Sequence, residues 1–154
     1  MRKLAILLCC ILLVSVTGCG NVIVGEDLMQ GKTPGKVSGV SELEGEKVIL
    51  TDFGVRLFQE SFENHKNTLI SPLSVIYALA MTANGAKGET LEEMAAVLGM
   101  PVSELNEYLY SYKNRLPQDD KYKMSLANSI WFTDDERFTV NDEFLQMNAD
   151  YFGA

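Results

Sequence analysis

Phosphate binding, metal ligation and nucleophilic or acid–base catalysis each need particular side chains at particular spacings, and this chain offers few of them. Gly25-Glu-Asp-Leu-Met-Gln-Gly31-Lys32-Thr33, after the short apolar run Val22 to Val24, has the ingredients of a phosphate loop. Such a loop holds four residues between its glycines, and here there are five. Pro34-Gly35 also stands where the following helix should run, which leaves no helix N-terminus for a phosphate. The single histidine, His65, sits in a polar loop with no cysteine or paired carboxylate at ligand spacing. Metal sites need several convergent ligands, so His65 reads as a solvated loop residue. No G-x-S-x-G elbow occurs, and nothing sets His65 against a nucleophile. Glu92-Glu93 and Asp134-Asp135-Glu136 read as a helix start and a turn rather than as catalytic carboxylates. The expectation is a chain that is not an enzyme and that holds no cofactor and no metal.

One cysteine does carry chemistry. Met1-Arg2-Lys3 and the mostly apolar run Leu4 to Val16 form a basic head and an apolar stretch. That stretch is too short to span a bilayer and has the length of a secretory signal. Val16-Thr17-Gly18-Cys19 then resembles a bacterial lipobox, small residues ahead of a cysteine that is lipidated and becomes the mature N-terminus. The expectation is a lipoprotein signal peptide over 1–18, lipid attachment at Cys19, and a location outside the cytoplasm on a bacterial membrane, at the cell surface or the periplasmic face. Several acyl chains on one residue give stable attachment where a single chain binds only marginally. Cleavage there removes Cys9 and Cys10, so no disulfide within the mature chain is possible. Loss of Arg2 and Lys3 makes the net charge two units more negative than the −8 of the whole chain. An acidic surface of that size, without aromatic–basic interleaving, argues against nucleic acid and anionic lipid as partners.

The 154 residues leave room for one domain at most. Residues 19–47 are rich in Gly, Ser, Lys and Glu and read as a flexible tether, with the domain over 48–154. Leu50, Phe53, Leu57, Phe58 and Phe62 have helical spacing, with Thr51-Asp52 as the expected cap. Ser71-Pro72 opens a central helix, the serine as N-cap and the proline at the first helical position, where its missing N–H costs nothing. From Leu73 to Ala83 that helix is apolar on nearly every side, which predicts burial, with Gly85 as a left-handed stop. Thr90-Leu91-Glu92-Glu93 predicts a capping box for the next helix, carrying Leu91, Met94, Ala95 and Leu98 and stopped by Gly99 and Pro101. Leu105, Tyr108, Leu109 and Tyr112 mark a further helix capped by Ser103, its tyrosine stripe packing in the core with wet hydroxyls. Met124 to Phe132 alternates as a strand, with Met124, Leu126, Ile130 and Phe132 on one face, Ser125, Ala127, Ser129 and Trp131 on the other, and Asn128 interrupting the apolar face. Asn141 caps a last helix with Phe144, Leu145, Tyr151 and Phe152.

Particular residues in order say more than periodicity. Asn67, Ser71-Pro72-x-Ser74, Ala78-Leu79, Gly85-Ala86-x-Gly88-x-Thr90 and Glu93-Met94 resemble the N-terminal signature of the serpins, the serine protease inhibitor superfamily. Leu126-Ala127-Asn128-Ser129-Ile130-Trp131 resembles that family's Ala-Asn strand, and Phe144-Leu145 with Tyr151-Phe152-x-Ala154 its next helix. The resemblance implies an α+β fold of N-terminal helices and a first central-sheet strand, truncated before half of the fold is made. It implies a suicide-substrate inhibitor whose partner is a serine protease, in some cases a cysteine protease. Ser71, Pro72, Ser74 and Asn128 would then be mechanical positions in the shutter and behind the sheet. The family's bait loop lies near the C-terminus, so no reactive-centre bond is assigned in this chain, which by itself is expected to be a loose, non-inhibitory fragment. Two rivals remain. A small membrane-anchored lipoprotein acting as a protein-binding module predicts a stable monomer, and an extracytoplasmic hydrolase needs a nucleophile–base pair that the residues do not supply.

Overall fold

The structure, a computed structural model, describes residues 25–41 and 47–154. The leader 1–18, Cys19 and the remaining residues of the tether, 20–24 and 42–46, lie outside the described residues. Five helices are described: α1 Lys47–Ser61, α2 Pro72–Ala83, α3 Gly88–Leu98, α4 Val102–Asn114 and α5 Asp142–Phe152. Helix α2 is the hub, packed on α1, α3 and α4, while α5 packs on α4. Its Ile76, Tyr77, Ala80, Met81 and Ala83 meet Phe53, Leu98, Leu105, Tyr108, Leu109 and Phe152 in one buried cluster. Because Ala80 and Ala83 are short, the neighbouring helices approach closely. The burial expected for α2 holds except along one stripe, where Ser74, Ala78 and Thr82 are exposed.

Several helix ends differ from the sequence reading. Helix α1 begins at Lys47, so Thr51 and Asp52 fall inside it, and Asp52 pairs with Arg56 one turn on at 2.9 Å. Helix α3 starts at Gly88 rather than at a Thr90 cap, because Gly88 takes a φ of +57° and turns the chain two residues earlier. Pro101, extended at φ −55° and ψ 139°, precedes α4, and its carbonyl accepts from the Leu105 N–H, which moves Ser103 inside the helix. Gly85 is not left-handed. Asn84, in ordinary helical geometry, ends α2, and the Gly85 N–H closes on the Thr82 carbonyl at 3.0 Å. What glycine supplies there is room, since a Cβ would lie 3.1 Å from the ring of Phe144. Gly99, at φ 87°, and the Asn141 cap, 2.7 Å from the Glu143 N–H, are as the sequence predicts.

The strand expected at 124–132 has no ladder. Among the described residues the β pairing is an isolated antiparallel bridge, Gln118 with Lys123, so the described fold is helical rather than α+β. The physical reason is that a strand borrows its hydrogen bonds from a neighbour, and the described residues supply none here. The alternation survives without the pairing. Leu126, Asn128 and Ile130 are half-buried, with Leu126 and Ile130 against the core, while Ser125, Ala127, Ser129 and Trp131 are exposed; Met124 and Phe132, expected on the inward face, are exposed at its two ends.

Part of the stretch read as a tether is docked on the helices. Lys32 pairs with Asp142, the Thr33 carbonyl accepts from Gln146, and the Gly35 N–H donates to Asp150 at 2.8 Å. Further on, the Val40 N–H donates to Ser111 Oγ at 2.8 Å, and Arg115 donates to the carbonyls of Val40 and Ser41.

Candidate functional site

The residues singled out by sequence meet at the start of α2. Ser71, just outside the helix, accepts from the Ser74 N–H at 3.4 Å, and the two hydroxyls lie 2.8 Å apart. Pro72 follows at the first helical position, against Gly54 of α1, where a Cβ would lie 3.3 Å from the proline ring. Both serines are exposed and continue into the stripe of small residues Ala78 and Thr82. Thr82 returns its hydroxyl to the Ala78 carbonyl at 2.8 Å, which leaves this face free of protruding polar groups. Asn128 lies on the half-buried side of 124–132, and among the described residues no hydrogen bond joins it to Ser71 or Ser74. The two serines are thus neighbours at the helix start, and the structure does not join Asn128 to them.

Behind the cap, Tyr77 is 1% exposed and donates its hydroxyl to the Leu109 carbonyl at 2.6 Å. Burial, then the neighbouring Tyr112 and Tyr108, push its phenol well above the ordinary tyrosine range. That buried hydroxyl pins α2 to α4. Phe152 meets the Tyr77 ring edge-on at 5.8 Å, which ties α5 into the same cluster.

His65 is exposed, at a φ of 67°, beyond the end of α1. Among the described residues no three His, Cys, Asp or Glu side chains converge as metal ligands. A hollow of about 260 Å³ between α2 and α3 is lined by Leu79, Met94, Val97 and Leu98 with Glu93 as its one ionisable group. Arg137 holds the exposed Asp135 carboxyl below its usual range, a local turn contact within two residues. No helix among the described residues is long and apolar enough to cross a membrane.

The family model for serpins, serine protease inhibitors, matches residues 49–154. The chain belongs to the serpin family. Mouse neuroserpin is 32% identical over 111 residues, covering 68% of this chain and 27% of neuroserpin. Iripin-8 of Ixodes ricinus is 33% identical over 110 residues, 66% of this chain and 26% of the relative. Among solved structures, the thermophilic serpin tengpin in its latent state is similar at a TM-score of 0.67 and 44% identity, over 76% of this chain and 32% of tengpin. The serpin described here therefore spans about a quarter of the length of the curated relatives it matches. The docking residues on α4 and α5 escaped the sequence reading. The signal available was spacing: Asp142, Gln146 and Asp150 recur every four residues, as do Ser111 and Arg115.

Proposed function

We propose that this chain is the N-terminal portion of a lipid-anchored bacterial serpin whose full-length form traps proteases as a suicide substrate outside the cytoplasm. The family match over 49–154 carries this reading. In that mechanism a serine or cysteine protease cleaves an exposed bait loop and forms an acyl-enzyme, and the cut loop enters a central sheet as a new strand. The driving force is stored in a metastable fold that relaxes on insertion. Ser71, Pro72, Ser74 and Asn128 act mechanically, α2 presenting its stripe Ser74, Ala78, Thr82 behind the sheet and 124–132 contributing a strand to it. The exposed, small-residue surface of that stripe supports the assignment. Cys19 carries the lipid, and residues 20–31 lead from it to the first docking contact at Lys32.

No residue of the 154 is assigned to the scissile bond, so this chain alone is expected not to inhibit. Incubation with trypsin-, chymotrypsin- and subtilisin-like proteases checks this on denaturing gels. The expected result is cleavage or inertness, whereas a detergent-resistant covalent complex overturns the reading. A longer product of the same gene that carries a bait loop is expected to form that complex. Labelled palmitate is expected on the wild-type chain in bacteria and absent from Cys19→Ala; equal labelling of both removes the lipid anchor.

A further inference from the structure

Residues 32–41 are held by two polar stripes, one on each of two helices. On α5, Asp142, Gln146 and Asp150 are spaced by four and stand on one face. On α4 and its C-terminal cap residue, Ser111 and Arg115 repeat that spacing. Apart from the Lys32–Asp142 ion pair, every one of these contacts reaches a main-chain atom of the strap. Gln146 Nε2 donates to the Thr33 carbonyl at 3.0 Å, and Asp150 Oδ1 accepts from the Gly35 N–H at 2.8 Å. Ser111 Oγ accepts from the Val40 N–H at 2.8 Å, and Arg115 Nη2 donates to the Val40 and Ser41 carbonyls at 3.1 and 2.8 Å. With the strap in place Ser111 is 7% exposed, and Gln146 also bonds Asp150 at 2.7 Å, which ties the two α5 side chains to each other as well as to the strap.

Two positions of the strap are read by shape. A Cβ at Gly39 would lie 2.3 Å from Ser111 Oγ, so only glycine lets the chain pass. Val40 packs its side chain on the apolar core. We propose that the seam between α4 and α5 is a binding groove for extended peptide with glycine before an apolar residue, filled in the isolated chain by residues 32–41 and open to the same segment of a second copy. Groups that bond main-chain atoms, with one glycine filter and one apolar socket, make a peptide receptor independent of any bait-loop chemistry. The second copy is the partner whose chemistry matches, since it carries the same Ser38-Gly39-Val40-Ser41. This inference does not rest on the inhibitory reading and stands or falls separately.

The test uses the full chain and a fluorescein-labelled peptide of residues 32–41. Gly39→Val is expected to expel the strap, so the Val40 amide exchanges at least about tenfold faster than in the wild type while helical circular dichroism is unchanged. That variant is expected to bind the labelled peptide, at least about tenfold more tightly than the wild type, whose groove is filled. Adding Arg115→Ala and Gln146→Ala to Gly39→Val is expected to abolish binding, and a peptide with Gly39→Val is expected not to bind. Should Gly39→Val not fold, excess unlabelled peptide added to the wild type is expected to speed Val40 amide exchange by displacing the strap. Free-peptide exchange rates at Gly35 and Val40 in the wild type, no uptake of peptide by a folded Gly39→Val chain, or no displacement by excess peptide each overturn the proposal.

Discussion

Helix α2 and the segment 124–132 are both rich in apolar residues, and they end in opposite conditions. Ile76, Tyr77, Ala80 and Met81 are at most 1% exposed, whereas Trp131 is 83% exposed and Met124 44%. The helix satisfies its own N–H and C=O groups within one turn, so its side chains can be buried as soon as α1, α3 and α4 close around it. The extended segment has no such internal economy. Its side chains alternate between exposed and half-buried from Ser125 to Trp131, yet its main chain needs a neighbouring strand, and among the described residues there is none. Apolar composition alone therefore does not decide burial; the source of the hydrogen bonds does.

The largest test of that contrast compares Ile76→Ala with Trp131→Ala. Ile76 is fully enclosed, and its truncation is expected to cost about 2–5 kcal/mol in urea unfolding followed at 222 nm. Trp131 makes one side-chain hydrogen bond, to Ser129, and otherwise faces solvent, so its removal should stay within about 0.5 kcal/mol. Similar losses at both sites would mean that 124–132 has found a partner in solution. Next in size is Gly85→Ala, which pushes a methyl against Phe144 where α5 meets the end of α2. A loss of about 1–3 kcal/mol is expected, the usual cost of overpacking, and stabilisation would show that the gap between them can open.

Tyr77→Phe should cost about 0.5–1.5 kcal/mol by removing the bond to the Leu109 carbonyl. Its pH profile is sharper than its magnitude. The folded-state phenol is raised above the unfolded value of about 10, so the contribution is complete below about pH 10 and is lost as pH climbs toward the folded value. Wild-type stability should fall over that alkaline window and the phenylalanine variant should fall less; parallel curves would remove the ionisation from the account. A small effect is expected of Ser71→Ala, about 0.5 kcal/mol, because the cap bond is long at 3.4 Å and exposed. Thermal melts of the two chains side by side measure it, and a shift as large as that of Ile76→Ala would give the cap a role beyond closing one helix end.

The local features of this serpin are legible in its residue order. The Ser71 and Asn141 caps, the left-handed Gly99 and the inward Leu126 and Ile130 each depend on residues within a turn or two of one another. Such short-range patterns survive whatever the rest of the chain does. The helix starts were less legible, since Gly88, free to take a positive φ, and Pro101, with its φ fixed by the ring, stand at the starts instead of the Thr90 and Ser103 caps. The ordered blocks from Asn67 to Ala154 also carried the family.

Tertiary structure alone decided three things. Residues 32–41 look like a linker because glycine, serine and lysine predict no element, yet they dock through partners 71 to 115 residues away. Gly85 looks like a helix stop, and only the position of the Phe144 ring reveals that it is a spacer. The segment 124–132 has the alternation of a strand, but a ladder is a property of two segments and cannot be written into one. Periodicity and capping are local energies that a sequence encodes directly, whereas docking, clearance and strand pairing depend on which distant groups the fold places opposite one another.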